Sequence, residues 1–159
     1  DFHMQFFAKK EHKTIFVISF YKEYRMKKKI INTADAPLPI GTYNQAVLIE
    51  HTLYISGQIC IDPQTGQLRK QDIQDETHRV MQNLRAILRE AEMSFENVVK
   101  TTIFLTDMNQ FAAVNEIYSK YFDCDPALGK STYPARETVQ VSALPRFVNV
   151  EISMVAHKK

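Results

Sequence analysis

From Val148 to Met154 the chain alternates strictly. Val148, Val150, Ile152 and Met154 are apolar, and Asn149, Glu151 and Ser153 between them are polar. Successive side chains of a strand point to opposite faces, so this period of two predicts a strand that turns its apolar set one way and Glu151 the other. A strand of this kind buries one face and wets the other. The segment before it is also extended. Tyr133 precedes Pro134 and is pushed out of the α region, and Glu137–Val141 reads as a strand with Arg136 at its foot. Leu144-Pro145-Arg146 separates the two strands, since proline cannot donate to a ladder.

The rest of the chain supplies the other elements. Lys29–Asn32 reads as a short first strand, followed by a loop at 35–41 with two prolines and a glycine. Ala46–Glu50 and Leu53–Ser56 read as a hairpin, which makes His51 a turn residue, and Asp62–Gly66 reads as a turn. Asp72 is placed as the N-cap of a helix running to about Glu92, with Val80, Leu84, Ile87, Leu88 and Ala91 on one face. Val98–Leu105 is a β-branched, largely apolar strand, expected near the sheet centre. Asp107 is expected to cap a second helix, with Gln110 as capping-box partner and Phe111, Val114, Tyr118, Tyr121 and Phe122 as its core stripe. The predicted fold class is α+β, a mixed sheet of about six strands with two helices on one face. The uncovered sheet face is too apolar for full exposure, so oligomerisation is expected to cover it.

The chemistry-bearing residues allow a bland and a sharp reading. Glu151 can be a solvated strand carboxylate, and Arg136 a surface or salt-bridging arginine. They can equally form a pair in which a planar guanidinium clamps a small carboxylate through two hydrogen bonds and the glutamate handles a proton or a water. Periodicity does not choose between these readings. Cys60 and Cys124 have neither a disulfide framework nor metal-ligand spacing, so both are expected as free thiols in a reducing compartment. No run of about 18 apolar residues exists, so no membrane-spanning helix is expected.

Charge is unevenly placed. Residues 1–29 hold eight Lys or Arg and three acids, 8 − 3 = +5, whereas residues 30–159 hold twelve and fifteen, 12 − 15 = −3. A mildly acidic domain argues against a broad phosphate-binding surface. His78, Arg79, Arg85 and Arg89 are interleaved with Asp75, Glu76, Glu90 and Glu92, which reads as a solvated helix face. Residues 1–27 are set apart as an extension: dispensable sequence, an organelle presequence over residues 1–26, or an extra strand at Ile15-Phe-Val-Ile18.

Pro134-Ala135-Arg136, then Val139, Val141, Leu144 and Val150-Glu151-Ile152, resemble the signature of the Rid family of reactive-intermediate deaminases, also called YjgF or L-PSP. Ile40-Gly-Thr-Tyr-Asn-Gln45, Leu53-Tyr-Ile-Ser-Gly-Gln58 and Val99-Lys-Thr-Thr-Ile-Phe-Leu105 match in the same order, so the resemblance spans residues 28–159 as one domain. It implies a chorismate-mutase-like Rid fold and a homotrimer with clefts between subunits. It implies hydrolysis of 2-iminopropanoate or 2-iminobutanoate to 2-keto acid and ammonia, with Arg136, Glu151 and Tyr43 catalytic. Ser56, Gly57, Arg136, Thr138 and Asn115 would bind substrate. No metal or cofactor is implied, because an imine is already electrophilic. The implied partners are a small 2-imino or 2-keto acid and further copies of the chain, with no membrane and no nucleic acid. Location follows as cytoplasmic, or mitochondrial or another organelle if residues 1–26 are a presequence. Thr138 stands where many members of the family carry cysteine, and Glu137 stands where a small residue is common. Two alternatives remain: an endoribonuclease or translation inhibitor of the L-PSP type, and a non-catalytic trimeric binding module. The latter gains if Arg136 is tied to Glu137 or Glu151.

Overall fold

The computed structural model describes residues 2–4, 20–22, 27–125 and 130–158. The expected extra strand at Ile15-Phe-Val-Ile18 lies outside them. In chain order the strands and helices are β1 (Phe2–Met4), β2 (Phe20–Lys22), β3 (Lys28–Ile31), β4 (Ala46–Ile49), β5 (Thr52–Gln58), α1 (Ile73–Glu90), β6 (Val98–Leu105), α2 (Phe111–Ser119), β7 (Cys124–Asp125), β8 (Lys130–Ser131), β9 (Ala135–Gln140) and β10 (Val150–His157). β1 pairs with β2 and β7 with β8 as short antiparallel ribbons.

The remaining six strands form one mixed sheet in the order β3-β4-β5-β10-β6-β9. Every pairing is antiparallel except β6 with β9. β10 is therefore central, and the two strands that follow one another at the end of the chain are not neighbours, because β6 lies between them. Val150, Ile152 and Met154 are buried as their alternation predicts. They pack with Val80, Leu84, Ile87 and Leu88 of α1 and Val114 and Tyr118 of α2, so both helices cover one face of the sheet.

The local signals hold with three exceptions. Asp72 caps α1, its carboxylate accepting from Asp75 N at 2.7 Å. Asp107, however, accepts from Asn109 N and caps a 3-10 turn at Met108–Gln110; α2 begins only at Phe111, with no side-chain cap, so the expected capping box does not form. Phe111 is exposed rather than core, while Val114, Tyr118 and Phe122 are buried. Glu76 is not on a solvated face. It is 1 % exposed, accepting from Asn149 N and Nδ2 at 2.9 and 2.6 Å, with the Cys60 thiol against it. Its partner lies 73 residues away in sequence, beyond the reach of any local pattern.

The sheet is irregular at one place. Between β5 and β10, Ile152 pairs with Gln58 but Met154 pairs with Ile55, so two steps on β10 face three on β5. The extra residue is a β-bulge at Ser56-Gly57, which bends the strand and re-aims its side chains.

Candidate active site

A cavity of about 220 Å³ opens at this bulge. The loop that roofs it is pinned by Gln45, which is 1 % exposed. Gln45 Oε1 accepts from Thr33 N at 2.7 Å, and Nε2 lies within 3.1 Å of the carbonyls of Thr33, Ala36 and Pro37. This staple holds Leu38, Ile40 and Tyr43 over the opening, where Tyr43 Oη accepts from Ile40 N at 3.2 Å. Ser56 lines the wall and donates from its hydroxyl to Asn44 O at 2.7 Å.

Glu151 reaches into the cavity from β10 and lies against Gly57. A Cβ at residue 57 would stand 1.8 Å from Glu151 Oε1, so only glycine leaves room for the carboxylate. Among the described residues nothing donates to that carboxylate or pairs with it. Burial alone pushes its pKa above the ordinary carboxylate range, since desolvation penalises the charged form. A half-buried, unpaired carboxylate with a raised pKa in a cavity is a candidate for proton transfer.

Arg136 lies elsewhere. It pairs in register with Thr101, Thr101 pairs with Met154, and Met154 is buried beneath the helices. Glu151, three residues before Met154, pairs with Phe104 and points to the other face. The two groups therefore occupy opposite faces of the sheet within one chain. Arg136 is held ready all the same. Nη1 donates to Asn115 Oδ1 at 2.9 Å, and the guanidinium sits 4.9 Å from the Tyr118 ring centre and 5.7 Å from that of Phe111. Phe111, Asn115 and Tyr118 are spaced i, i+4, i+7, one helical face turned towards the arginine. Tyr118 is itself fixed by its hydroxyl donating to Thr101 Oγ1 at 3.1 Å.

No described carboxylate pairs with Arg136. Glu137, beside it in sequence, points to the opposite face, where Lys100 and the Thr102 hydroxyl bind it and hold its carboxyl below the usual range. Thr138 follows two residues on from Arg136, and its Oγ1 is sealed from solvent without a partner. The predicted residues thus fall into two sets: Tyr43, Ser56, Gly57 and Glu151 at the cavity, and Arg136 and Asn115, with Thr138 along the same strand, on the helix-covered face. The aromatic platform under Arg136 was hidden in the sequence because Phe111 and Tyr118 read as core. The signal for it is the asparagine set between them.

The family described as Endoribonuclease L-PSP matches residues 33–158. The chain belongs to the Rid/YjgF/L-PSP family. Within it, the human protein named 2-iminobutanoate/2-iminopropanoate deaminase is 47 % identical over 129 residues, covering 81 % of this chain and 89 % of that protein. A solved Rid family protein of unknown function from Yersinia pestis superposes with a TM-score of 0.77 at 43 % identity, covering 83 % of this chain and 100 % of that one. TdcF of E. coli, solved with bound serine, superposes at 0.74 with 39 % identity over 82 % of this chain and 99 % of its own. The six-stranded mixed sheet with two helices is thus the Rid fold.

Part of the positive charge on and beside α1 in this Rid chain is engaged within the fold. Arg79 lies 3.4 Å from Asp62, Arg69 3.0 Å from Asp75, and Arg85 stacks on Tyr121. Among the described residues no helix is long and apolar enough to cross a membrane.

Proposed function

We propose that the chain hydrolyses short 2-imino acids to 2-keto acids and ammonia, in a site completed by Arg136 from a neighbouring copy in a homotrimer. The observation that carries this reading is the separation of two prepared halves: an unpaired Glu151 in a cavity on one face, and a carboxylate-free, stacked Arg136 on the other. The name of the human relative supports the reaction class, and serine in TdcF supports a ligand bearing both a carboxylate and a nitrogen.

In the reaction R–C(=NH2+)–CO2− + H2O → R–CO–CO2− + NH4+, Arg136 grips the substrate carboxylate bidentately. Water attacks C2 and passes a proton to Glu151 as the C=N π pair moves to nitrogen. Glu151 returns that proton to nitrogen; the C–N bond then breaks as the C2 hydroxyl gives up its own proton to Glu151 and becomes the keto oxygen, and the departing ammonia takes this proton from Glu151 and leaves as NH4+. Tyr43 closes the cavity, and Asn115 keeps the guanidinium aimed. The substrate is electrophilic already, so positioning supplies most of the acceleration. Residues 28–159 carry the activity in this reading, residues 1–27 do not, and the working compartment is the cytoplasm, or an organelle if residues 1–26 direct the chain there.

The test is loss of an enzymatically generated imino acid, read as ammonia release with and without residues 1–26. Wild type accelerates it, and Arg136→Ala lowers kcat/KM by about two orders of magnitude through loss of a bidentate, charge-assisted contact. Full activity in Arg136→Ala sinks the clamp. The endoribonuclease reading rests on the description of the family. It predicts RNA retention that weakens as salt rises, against a domain charge of −3 and arginines paired to acids. The non-catalytic reading would gain from an Arg136 tied to Glu137 or Glu151; Arg136 bonds instead to Asn115, and Glu137 to Lys100.

A further inference from the structure

Part of the cavity wall comes from a strained turn. Pro145 lines the cavity, and the two residues after it, Arg146 and Phe147, have φ of 56° and 54°. Residues other than glycine rarely adopt this left-handed region, and they hold it only where the surrounding structure over-determines them. Leu144 and Val148 sink the ends of the turn into the core, but Phe147 is 82 % exposed, so packing of its ring does not account for the conformation. Polar contacts hold it instead. Lys70 Nζ donates to Phe147 O at 2.6 Å. Just past the turn, Asn149 gives its N–H and its Nδ2 to the two carboxylate oxygens of Glu76, which stands in the first turn of α1. On its other side Asn149 accepts from Thr106, O from the N–H at 3.1 Å and Oδ1 from the hydroxyl at 3.3 Å. Every polar group of Asn149 is thus committed, two residues before Glu151. A buried carboxylate is costly unless hydrogen bonds compensate it, and here they are made to this one residue and the Cys60 thiol.

We infer that Lys70 and Glu76 are positioning residues for the reaction: they lock the Pro145–Phe147 turn and the start of β10, and so fix one wall of the cavity and the point from which Glu151 works. The inference rests on the imine-hydrolase reading and deepens it. Neither residue lines the cavity, so both act through the backbone they hold. Freed from them, a turn with two left-handed residues relaxes towards an unstrained conformation. Pro145 then leaves its place in the wall, and water reaches the Glu151 carboxylate. The chemistry of the clamp is specific. Asn149 presents two donors, so residue 76 must present two acceptors. A carboxylate does this, whereas an amide at 76 turns an NH2 group against one of them.

The experiment compares wild type with Glu76→Gln, with the double variant Glu76→Gln/Asn149→Asp, and with Lys70→Met. The double variant rebuilds the clamp in reverse, an amide at 76 donating to a carboxylate at 149. Three quantities are read: the melting temperature, kcat/KM for 2-iminobutanoate well below it, and the pH of the acid limb. Glu76→Gln and Lys70→Met are each expected to lower kcat/KM roughly tenfold, and the double variant to return to within about threefold of wild type. In Lys70→Met the acid limb moves to lower pH by roughly half a unit, because water now reaches Glu151. Loss of a positive charge alone would move it to higher pH. The other charged or titratable groups facing Glu151 are the same in every variant: Tyr43 in the cavity, Lys100 and Glu137 bound to each other on the same sheet face, and Arg136 of the neighbouring copy. Lower melting temperatures with kcat/KM and the limb unmoved make the clamp purely structural and overturn the inference, as does a double variant no better than Glu76→Gln. If Glu76→Gln does not fold, Lys70→Met, at an exposed residue, decides alone. Wild type that hydrolyses no 2-imino acid overturns the parent reading and this one together; wild-type hydrolysis matched by the variants overturns this one alone.

Discussion

Glu151 is kept where a carboxylate is uncomfortable. Half-buried against Gly57, with no described donor, it has its pKa raised by desolvation. A carboxyl with a higher pKa folded than unfolded favours folding only while protonated. Its cost appears as pH rises from the ordinary carboxylate value through the raised value, and is full above it. Glu151→Gln is therefore expected to raise the melting temperature by roughly a few degrees at neutral pH, with the gain vanishing below pH about 4, while imine hydrolysis is lost. Thermal melts at the two pH values check this; equal gains at both would mean that charge is not the cause. The same displacement sets the acid limb of the wild-type rate. Activity needs ionised Glu151, so it should fall on acidification at a higher pH than an unperturbed carboxylate would give. Cys60 shows the opposite use of burial. Desolvation, then the neighbouring Glu76 charge, push its thiol up to about 12, which makes it an inert core group and not a nucleophile.

The bulge between β5 and β10 is the element that builds the cavity half-site. Without it, period two would carry residue 58 to the open face alongside Tyr54 and Ser56. With it, Gly57 lies under the Glu151 carboxylate and Gln58 turns inward. Gly57→Ala places a Cβ on a carboxylate oxygen at the end of a flexible side chain, which can swing aside at small cost to the fold. The expected outcome is a melting temperature within a few degrees of wild type and a fall of about two orders of magnitude in kcat/KM, since displacement of a reacting group by an ångström costs that much. A variant that keeps its activity would mean that Glu151 does not work from this position. The sequence made part of this readable. A glycine inside a strand pattern is itself a bulge signal, and alternation correctly placed Glu151 opposite Val150 and Ile152. What it left out is the relation between strands. Period two gives parity within a strand but not the order of strands in a sheet, so β9 and β10, joined in sequence, gave no sign that β6 lies between them or that Arg136 faces the helices. The buried Glu76 was missed for the same reason, its partner being contributed by another part of the fold.

At the scale of the whole molecule the two half-sites impose a choice. Arg136 and Glu151 lie on opposite faces of one sheet, and no side-chain rotation brings them together through it. Either the reaction uses one half alone, or copies of the chain assemble so that the Arg136 edge of one meets the Glu151 cavity of the next. The open face has the surface for assembly, with Tyr54 51 % and Val139 41 % exposed on it. A ring of copies related by rotation has heterologous contacts, in which each site takes its arginine from one copy and its glutamate from the neighbour. This can be tested without a structure of the assembly. Arg136→Ala and Glu151→Gln chains are each expected to retain no more than about a hundredth of wild-type activity alone. Co-expressed with different tags and purified as mixed oligomers, they form some sites with an intact arginine from a Glu151→Gln copy and an intact glutamate from an Arg136→Ala copy. At equal, random mixing a site draws each intact residue with probability one half, so about a quarter of wild-type activity per site should return. A site contained within a single copy always carries one lesion or the other and recovers nothing. Mixed oligomers that remain inactive, with each parent correctly folded, would therefore overturn the shared site and with it the mechanism built on Arg136 and Glu151 acting together.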